Sequence, residues 1–339
     1  MSELGPAAAI PEIGPVDAEQ FNREIRPAGQ PVVLRRLVAD WPAVAAARQS
    51  DEALIEYLVA CEPARPVTAI AADPGEEGRF FYNRQLTGFN FVKGQGSLAG
   101  FLADLQRARR SERPPALAVQ SEIVPEVLPA FAEANRLALL PEVVARIWIG
   151  NRIRVAPHYD LKENVACNVA GRRRFTVFPP DQLANLYPGP FEHTPAGTPV
   201  SMVDPAAPDL ERFPRFAEAW RHAAQATLEP GDALYIPYMW WHGVDSLDPL
   251  SVLVNYWWAE TPAGVGGPYD ALLHAMLAYR HLPPRQREVW RRMVEHYVFE
   301  SEGDPAAHLP PHAKGIMGEP SPRLFEAMRT MLRQGLDGR

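Results

Sequence analysis

Two cysteines in 339 residues, Cys61 and Cys167, cannot build a disulfide framework. No apolar run approaches the roughly 18 residues a transmembrane helix needs. The start of the chain lacks a basic stretch followed by an apolar one. A soluble protein of the reducing cytoplasm is therefore expected, with Cys167 a small core residue rather than a reactive thiol. Positive charge is also scarce: 34 Lys and Arg stand against 41 Asp and Glu, a formal net charge of −7. That balance argues against general electrostatic capture of nucleic acid or of an anionic membrane surface. The basic clusters at residues 107–110 and 172–174 are local exceptions, and the first reads as a solvated helix end. No Cys-x-x-Cys pair offers a structural zinc site, and neither internal repeats nor low-complexity tracts are visible.

What the chain does have is a hydrophobic content of 47%, enough to bury a large core. Barrels of this length stay one domain with helical additions. Residues 1–15, rich in Ala, Pro and Gly, read as a loosely held arm. Residues 16–260 read as the main domain. In it the patterns give a helix from Asp17 through Ile25, a strand at 31–37, a helix at 51–59, a strand at 79–82, a helix at 98–110 and a strand at 117–120. The proline-rich connection 181–227 holds a helix around 213–224, and loops of that length in a compact domain are uncommon unless functional. Residues 261–339 turn helical, at 269–281, 286–299 and 321–334, with stripes such as Val289, Trp290, Met293 and Tyr297.

The densest chemical signal is His158-Tyr159-Asp160, joined much later by Trp240-Trp241-His242. With nine histidines and 41 acidic residues, chance alone supplies about one His-x-acid triplet, so context decides. Residues 153–155 read as strand, and on an extended chain His158 and Asp160 point to one face. The turn signal Glu229-Pro230-Gly231-Asp232 precedes a short apolar strand, 233–237, that delivers His242. Two histidines and one carboxylate on neighbouring strands are the ligand set with which non-haem Fe(II) oxygenases keep coordination positions open. The competing reading is an ordinary hydrogen-bonded His158–Asp160 pair, with His242 a satisfied core histidine beside two tryptophans that pack a barrel end.

Further motifs surround these residues in order. They are Phe-Pro-Pro-Asp-Gln at 178–182, Leu-Tyr-Pro at 186–188, Glu-Arg-Phe-Pro at 211–214, Pro-Gly-Asp-x-Leu-Tyr-Ile-Pro at 230–237 and Trp-Trp-His at 240–242. Upstream, Pro-Val-Val-Leu at 31–34 is followed by Ala-Asp-Trp-Pro at 39–42. Together they resemble the JmjC, or cupin-8, class of 2-oxoglutarate-dependent oxygenases, and within it the branch containing the asparaginyl hydroxylase called factor inhibiting HIF. The resemblance is strong over 150–258 and weaker over 31–44.

This resemblance implies a mainly β fold with helical additions: a double-stranded β-helix, or jelly-roll barrel, with flanking N-terminal helices and a C-terminal helical segment through which the chain forms a homodimer. It implies an oxidoreductase, a dioxygenase that uses O2 to couple decarboxylation of 2-oxoglutarate, giving succinate and CO2, to hydroxylation of a protein or peptide side chain. Fe(II) would be held by His158, Asp160 and His242. Arg173 falls where many relatives place a lysine for the distal carboxylate of 2-oxoglutarate. Strand alternation independently sets Arg173, Phe175 and Val177 on one face and Arg172, Arg174 and Thr176 on the other. An inward arginine can pair with a carboxylate in bidentate fashion. Asn164, Asn255 and Trp257 match positions near the cosubstrate, Tyr82 a further cosubstrate contact and Gln120 a substrate contact. Two alternatives stay open: the same chemistry on a small metabolite, and a cupin-like metal-binding or interaction protein without turnover.

Overall fold

The computed structural model describes residues 4–261 and 264–338, and the chain divides into two compact units, Met1–Ala259 and Glu260–Arg339. Fifteen strands lie among the described residues of the first unit. They are Ala8–Ala9 (β1), Glu12–Ile13 (β2), Val32–Leu34 (β3), Val67–Ala72 (β4), Arg79–Phe80 (β5), Phe91–Gly96 (β6), Ala116–Ile123 (β7) and Ala145–Gly150 (β8). Then follow Arg154–His158 (β9), Glu163–Ala170 (β10), Arg173–Phe178 (β11), Ala224–Leu228 (β12), Ala233–Ile236 (β13), Trp241–Ser246 (β14) and Ser251–Trp258 (β15). They form a six-stranded sheet, β1-β12-β11-β14-β9-β5, and a nine-stranded sheet, β2-β3-β13-β10-β15-β8-β7-β4-β6. The two are the walls of a jelly-roll, whose antiparallel pairs alternate inward and outward residues.

Turn chemistry fixes the registers that matter. Gly171, at φ 68° between β10 and β11, lies so close to the backbone that a Cβ there would stand 2.4 Å from the Leu250 carbonyl. Only glycine tolerates both the conformation and the approach. The turn carries the chain from the nine-stranded sheet to the six-stranded one, where Arg173 stands opposite Leu228 on β12 and Ser246 on β14. The outer face of the nine-stranded sheet is covered by helices Pro42–Gln49, Asp51–Ala60 and Leu98–Ala108, the last two capped by Ser50 and Ser97. Leu54, Leu58, Leu98, Leu102 and Leu105 pack with Val165, Cys167 and Val254 in the largest core cluster.

Residues 1–15 were expected to be a loose arm, yet 8–13 are strand-paired. β1 runs parallel to β12 at the rim of the six-stranded sheet, and β2 runs parallel to β3 at the rim of the nine-stranded one. Ile10 between them is 2% exposed. The composition misled because prolines suit sheet edges, where a missing N–H costs nothing. Pro11 instead contributes its carbonyl, which accepts from the Val33 amide at 2.9 Å. The helix expected from Asp17 is interrupted by a π-helical stretch, Phe21–Ile25. Helix Pro42–Gln49 and strands β4 and β6 are additions to the expected set. β6 is an edge strand exposed over nearly all its length, so it carries no alternation to read.

The second unit holds helices Pro268–Tyr279, Pro284–Tyr297 and Pro322–Leu336, each with proline in its first turn. None of their residues is buried. Among the described residues no helix is long and apolar enough to cross a membrane.

Candidate active site

His158 closes β9 and His242 sits second in β14, and the antiparallel register of these strands places them directly opposite each other. Their ring centroids are 4.3 Å apart. Asp160, two residues beyond β9, brings Oδ2 to 3.6 Å from His242 Nε2, outside hydrogen-bond range. One ligand atom from each of the three residues lies within 4.8 Å of the other two. His158 Nδ1 stands 3.0 Å from the Ala156 carbonyl and His242 Nδ1 3.1 Å from that of Trp240. A carbonyl only accepts, so each Nδ1 carries the proton and each Nε2 lone pair is left for a cation. Burial, reinforced by neighbouring His242, pushes the His158 imidazole down to about 4. The ring is therefore neutral at physiological pH, the state that ligates metal. The donor set, its tautomers and its charge fit a divalent metal. The ordinary His158–Asp160 pair is not formed: Asp160 Oδ2 accepts from Trp257 Nε1 at 3.0 Å instead.

These groups face a cavity of about 350 Å³ between the two sheets. Arg173 lines the same cavity from β11. Its neighbours divide as alternation requires: Arg172 pairs with Asp248 at 3.0 Å and Arg174 with Asp245 at 2.7 Å, whereas Arg173 is 5% exposed and makes no ion pair among the described residues. Its Nη2 donates to Ser251 Oγ at 2.5 Å, and its buried Nε has no partner. Burial with nothing to offset it pushes the guanidinium down to about 9. It remains charged at neutral pH, and an anion beside it would relieve that cost. On β11 Val177 lies opposite His242 and Arg173 opposite Ser246. Four residues of strand separate guanidinium and metal-binding positions by about 13 Å of backbone, which the two side chains shorten from both ends.

The opposite wall comes from the nine-stranded sheet. Asn164, Asn255, Trp257 and Gln120 all line the cavity. Asn255 is held by its neighbours and keeps one Nδ2 hydrogen for a ligand: Oδ1 accepts from Trp148 Nε1 at 2.7 Å and Nδ2 donates to Asn164 Oδ1 at 3.2 Å. Tyr82 is not brought to this wall. It is buried against Ala156 and Val200, which themselves line the cavity.

A family model described as a cupin-like domain matches residues 18–264. The chain belongs to the cupin-like family. Human HSPB1-associated protein 1 is 41% identical over 115 residues, 33% of this chain and 22% of its own length. Drosophila melanogaster Jumonji C domain-containing protein 5 is 30% identical over 259 residues, 74% of this chain and 59% of its own. Xenopus tropicalis lysine-specific demethylase 8 is 27% identical over 259 residues, covering 76% and 54%. The matched part of the chain thus spans between about a fifth and three fifths of these relatives. The matches single out no narrower branch, that of factor inhibiting HIF included.

Sequence reading passed over several residues of this cupin-like cavity. Trp148 was within reach, because Ile147 and Ile149 read as core and alternation sends Trp148 to the cavity face. Ser251 and Lys93 carried no such signal. Ser251 matters through a side-chain contact between non-adjacent strands, and Lys93 lies on the unpatterned edge strand β6.

Proposed function

We propose that this chain is an Fe(II)- and 2-oxoglutarate-dependent dioxygenase that hydroxylates a side chain of a protein or peptide. The observation that carries the proposal is the shared cavity. Two histidines and a carboxylate converge in it, and a buried arginine with no acidic partner among the described residues lines it too. His158, Asp160 and His242 would hold the iron, and their number leaves positions for cosubstrate and O2. Arg173 would receive the distal carboxylate of 2-oxoglutarate, with Ser251 steadying the guanidinium. Asn164, Asn255 and Trp257 would orient the cosubstrate. Gln120 would meet the substrate. Iron and 2-oxoglutarate together supply oxidation of an unactivated C–H bond, with release of succinate and CO2. The protein contributes position, a fixed tautomer at each histidine and walls that keep bulk water from the reacting atoms.

Two relatives are named as demethylases or JmjC proteins and one for association with another protein, which supports a polypeptide substrate. Removal of an N-methyl group is the same chemistry, since hydroxylation of the methyl carbon releases formaldehyde. A cavity of about 350 Å³ that must also house 2-oxoglutarate leaves room for one side chain rather than a folded surface. A small metabolite is the second reading, favoured by the same volume. Slow succinate formation from 2-oxoglutarate in the absence of substrate tests the central reading. A purified, Fe(II)-loaded protein that forms none would leave a metal-binding or interaction protein.

The three helices of the second unit expose Leu272, Leu273, Leu277, Val289, Trp290, Met293 and Tyr297. We propose that a second copy covers them, in a closed twofold interface. Light scattering should then give twice the 37.7 kDa chain mass, and truncation after Glu260 should give monomer or aggregate. A monomeric full-length protein overturns the dimer.

A further inference from the structure

We infer that the substrate segment entering this cavity is acidic, and that the cavity selects against lysine and methyl-lysine; the inference rests on the oxygenase reading above. Asp160 is the only carboxylate among the described residues that line the cavity. It belongs to the candidate metal set, so no acid remains to receive a cationic side chain. With cofactors in place, the charges of Fe(II) and Arg173 are matched by those of Asp160 and 2-oxoglutarate. Lys93 is then the unmatched charge of the lining, on the edge strand β6. It is exposed, lies 5.9 Å from the ring centroids of Phe89 and Phe91, and makes no ion pair among the described residues.

A second cation, with no ion pair among the described residues, stands behind the cavity wall. Arg146 on β8 donates to the Ser121 carbonyl at 2.8 Å and to Ser121 Oγ at 3.1 Å, and its guanidinium stands 5.9 Å from the Trp257 ring centroid. Ser121 and Trp257 both line the cavity. The nearest acids in sequence are turned elsewhere. β7 is irregular between Val119 and Glu122, and Ser121 adopts φ 59°. This bulge sets both Gln120 and Ser121 in the cavity wall. Glu122 is thereby directed to the Thr68 amide at 2.7 Å and to Arg65 at 3.4 Å. Glu163 accepts from the Tyr235 hydroxyl at 2.7 Å. A lining that carries Lys93, with Arg146 behind Ser121 and Trp257, attracts carboxylates and repels ammonium groups, and the discrimination is electrostatic.

The test is a binding selection that needs no turnover. A library of random short peptides, supplemented with trimethyl-lysine peptides, is passed over the immobilised full chain, loaded with Mn(II) and 2-oxoglutarate, at low salt and the retained peptides are sequenced. Retained peptides should be enriched in Asp and Glu and depleted in Lys, Arg and trimethyl-lysine. Lys93→Glu should weaken an acidic peptide from that pool by about fivefold, and Arg146→Gln by less, as expected of exposed charge pairs. Lys93→Gln, which keeps the stem, controls for packing. Retention of basic or methylated peptides, absence of any charge preference, no retention at all, or a preference untouched by Lys93→Glu would overturn the inference. Succinate formation in the same preparation reports on the oxygenase reading separately.

Discussion

The two walls of the cavity differ in kind. The six-stranded sheet presents His158, His242 and Arg173, whereas the nine-stranded sheet presents Asn164, Asn255, Trp148 and Trp257, which carry no charge. On the first wall the backbone ladder sets position: His158 and His242 are register partners, and β11 continues the ladder to Arg173. On the second wall side chains hold one another, Trp148 to Asn255 and Asn255 to Asn164. The candidate metal histidines and Arg173 therefore sit where the backbone leaves least freedom, whereas Lys93, the charge on the other sheet, lies on its exposed edge strand β6. The neutral groups form a network that is held together internally and can orient a ligand without adding charge. Hydrogen bonds from Trp257 Nε1 to Asp160 and from Arg173 Nη2 to Ser251 Oγ join the two walls.

Breaking the charged wall should have the largest effect. His158→Ala or Asp160→Ala should abolish both Fe(II) binding and turnover, read as metal content after gel filtration and as succinate formed. Metal retained by both variants would sink the ligand assignment. Arg173→Ala comes next. It should weaken 2-oxoglutarate by about 10- to 100-fold in calorimetry while metal content holds, since a charge-assisted bidentate contact is lost. Arg172→Ala and Arg174→Ala should change that affinity by less than about twofold, because Asp248 and Asp245 already neutralise those side chains. Equal losses from all three would mean that the cluster acts only as a diffuse field.

The contrast between the walls also explains what the sequence made legible. The charged wall could be read because strand alternation is a local rule. His158, Asp160 and His242 stand at strand ends marked by turns, and the sequence 172–177 sorts itself into inward and outward residues. The neutral wall could be read only in part. Asn164 and Asn255 were visible as amides among apolar neighbours, but their bond to each other spans 91 residues and leaves no mark in either segment. Tyr82 carried little signal for a related reason: it lies in a short bridge flanked by loops, where neither period nor register constrains the side chain. The docked strands at 8–13 escaped because a two-residue strand is too short to show a period, and its partners lie far along the chain.

The last prediction tests one of the bonds between the walls. Trp257→Phe retains an aromatic ring that can still pack edge-on against Trp148, now 5.7 Å between centroids, but removes the indole donor to Asp160. Asp160 then keeps its place in the ligand set with more freedom to rotate, and a metal ligand that loses its supporting hydrogen bond commonly costs about 10-fold in metal affinity. Fe(II) binding should weaken by that order. Arg173 belongs to the other wall, so 2-oxoglutarate affinity measured at saturating metal should change little. A larger fall in 2-oxoglutarate affinity than in metal affinity would show that Trp257 acts chiefly on the cosubstrate. The division between a ligating wall and an orienting wall would then stand without any link through Asp160.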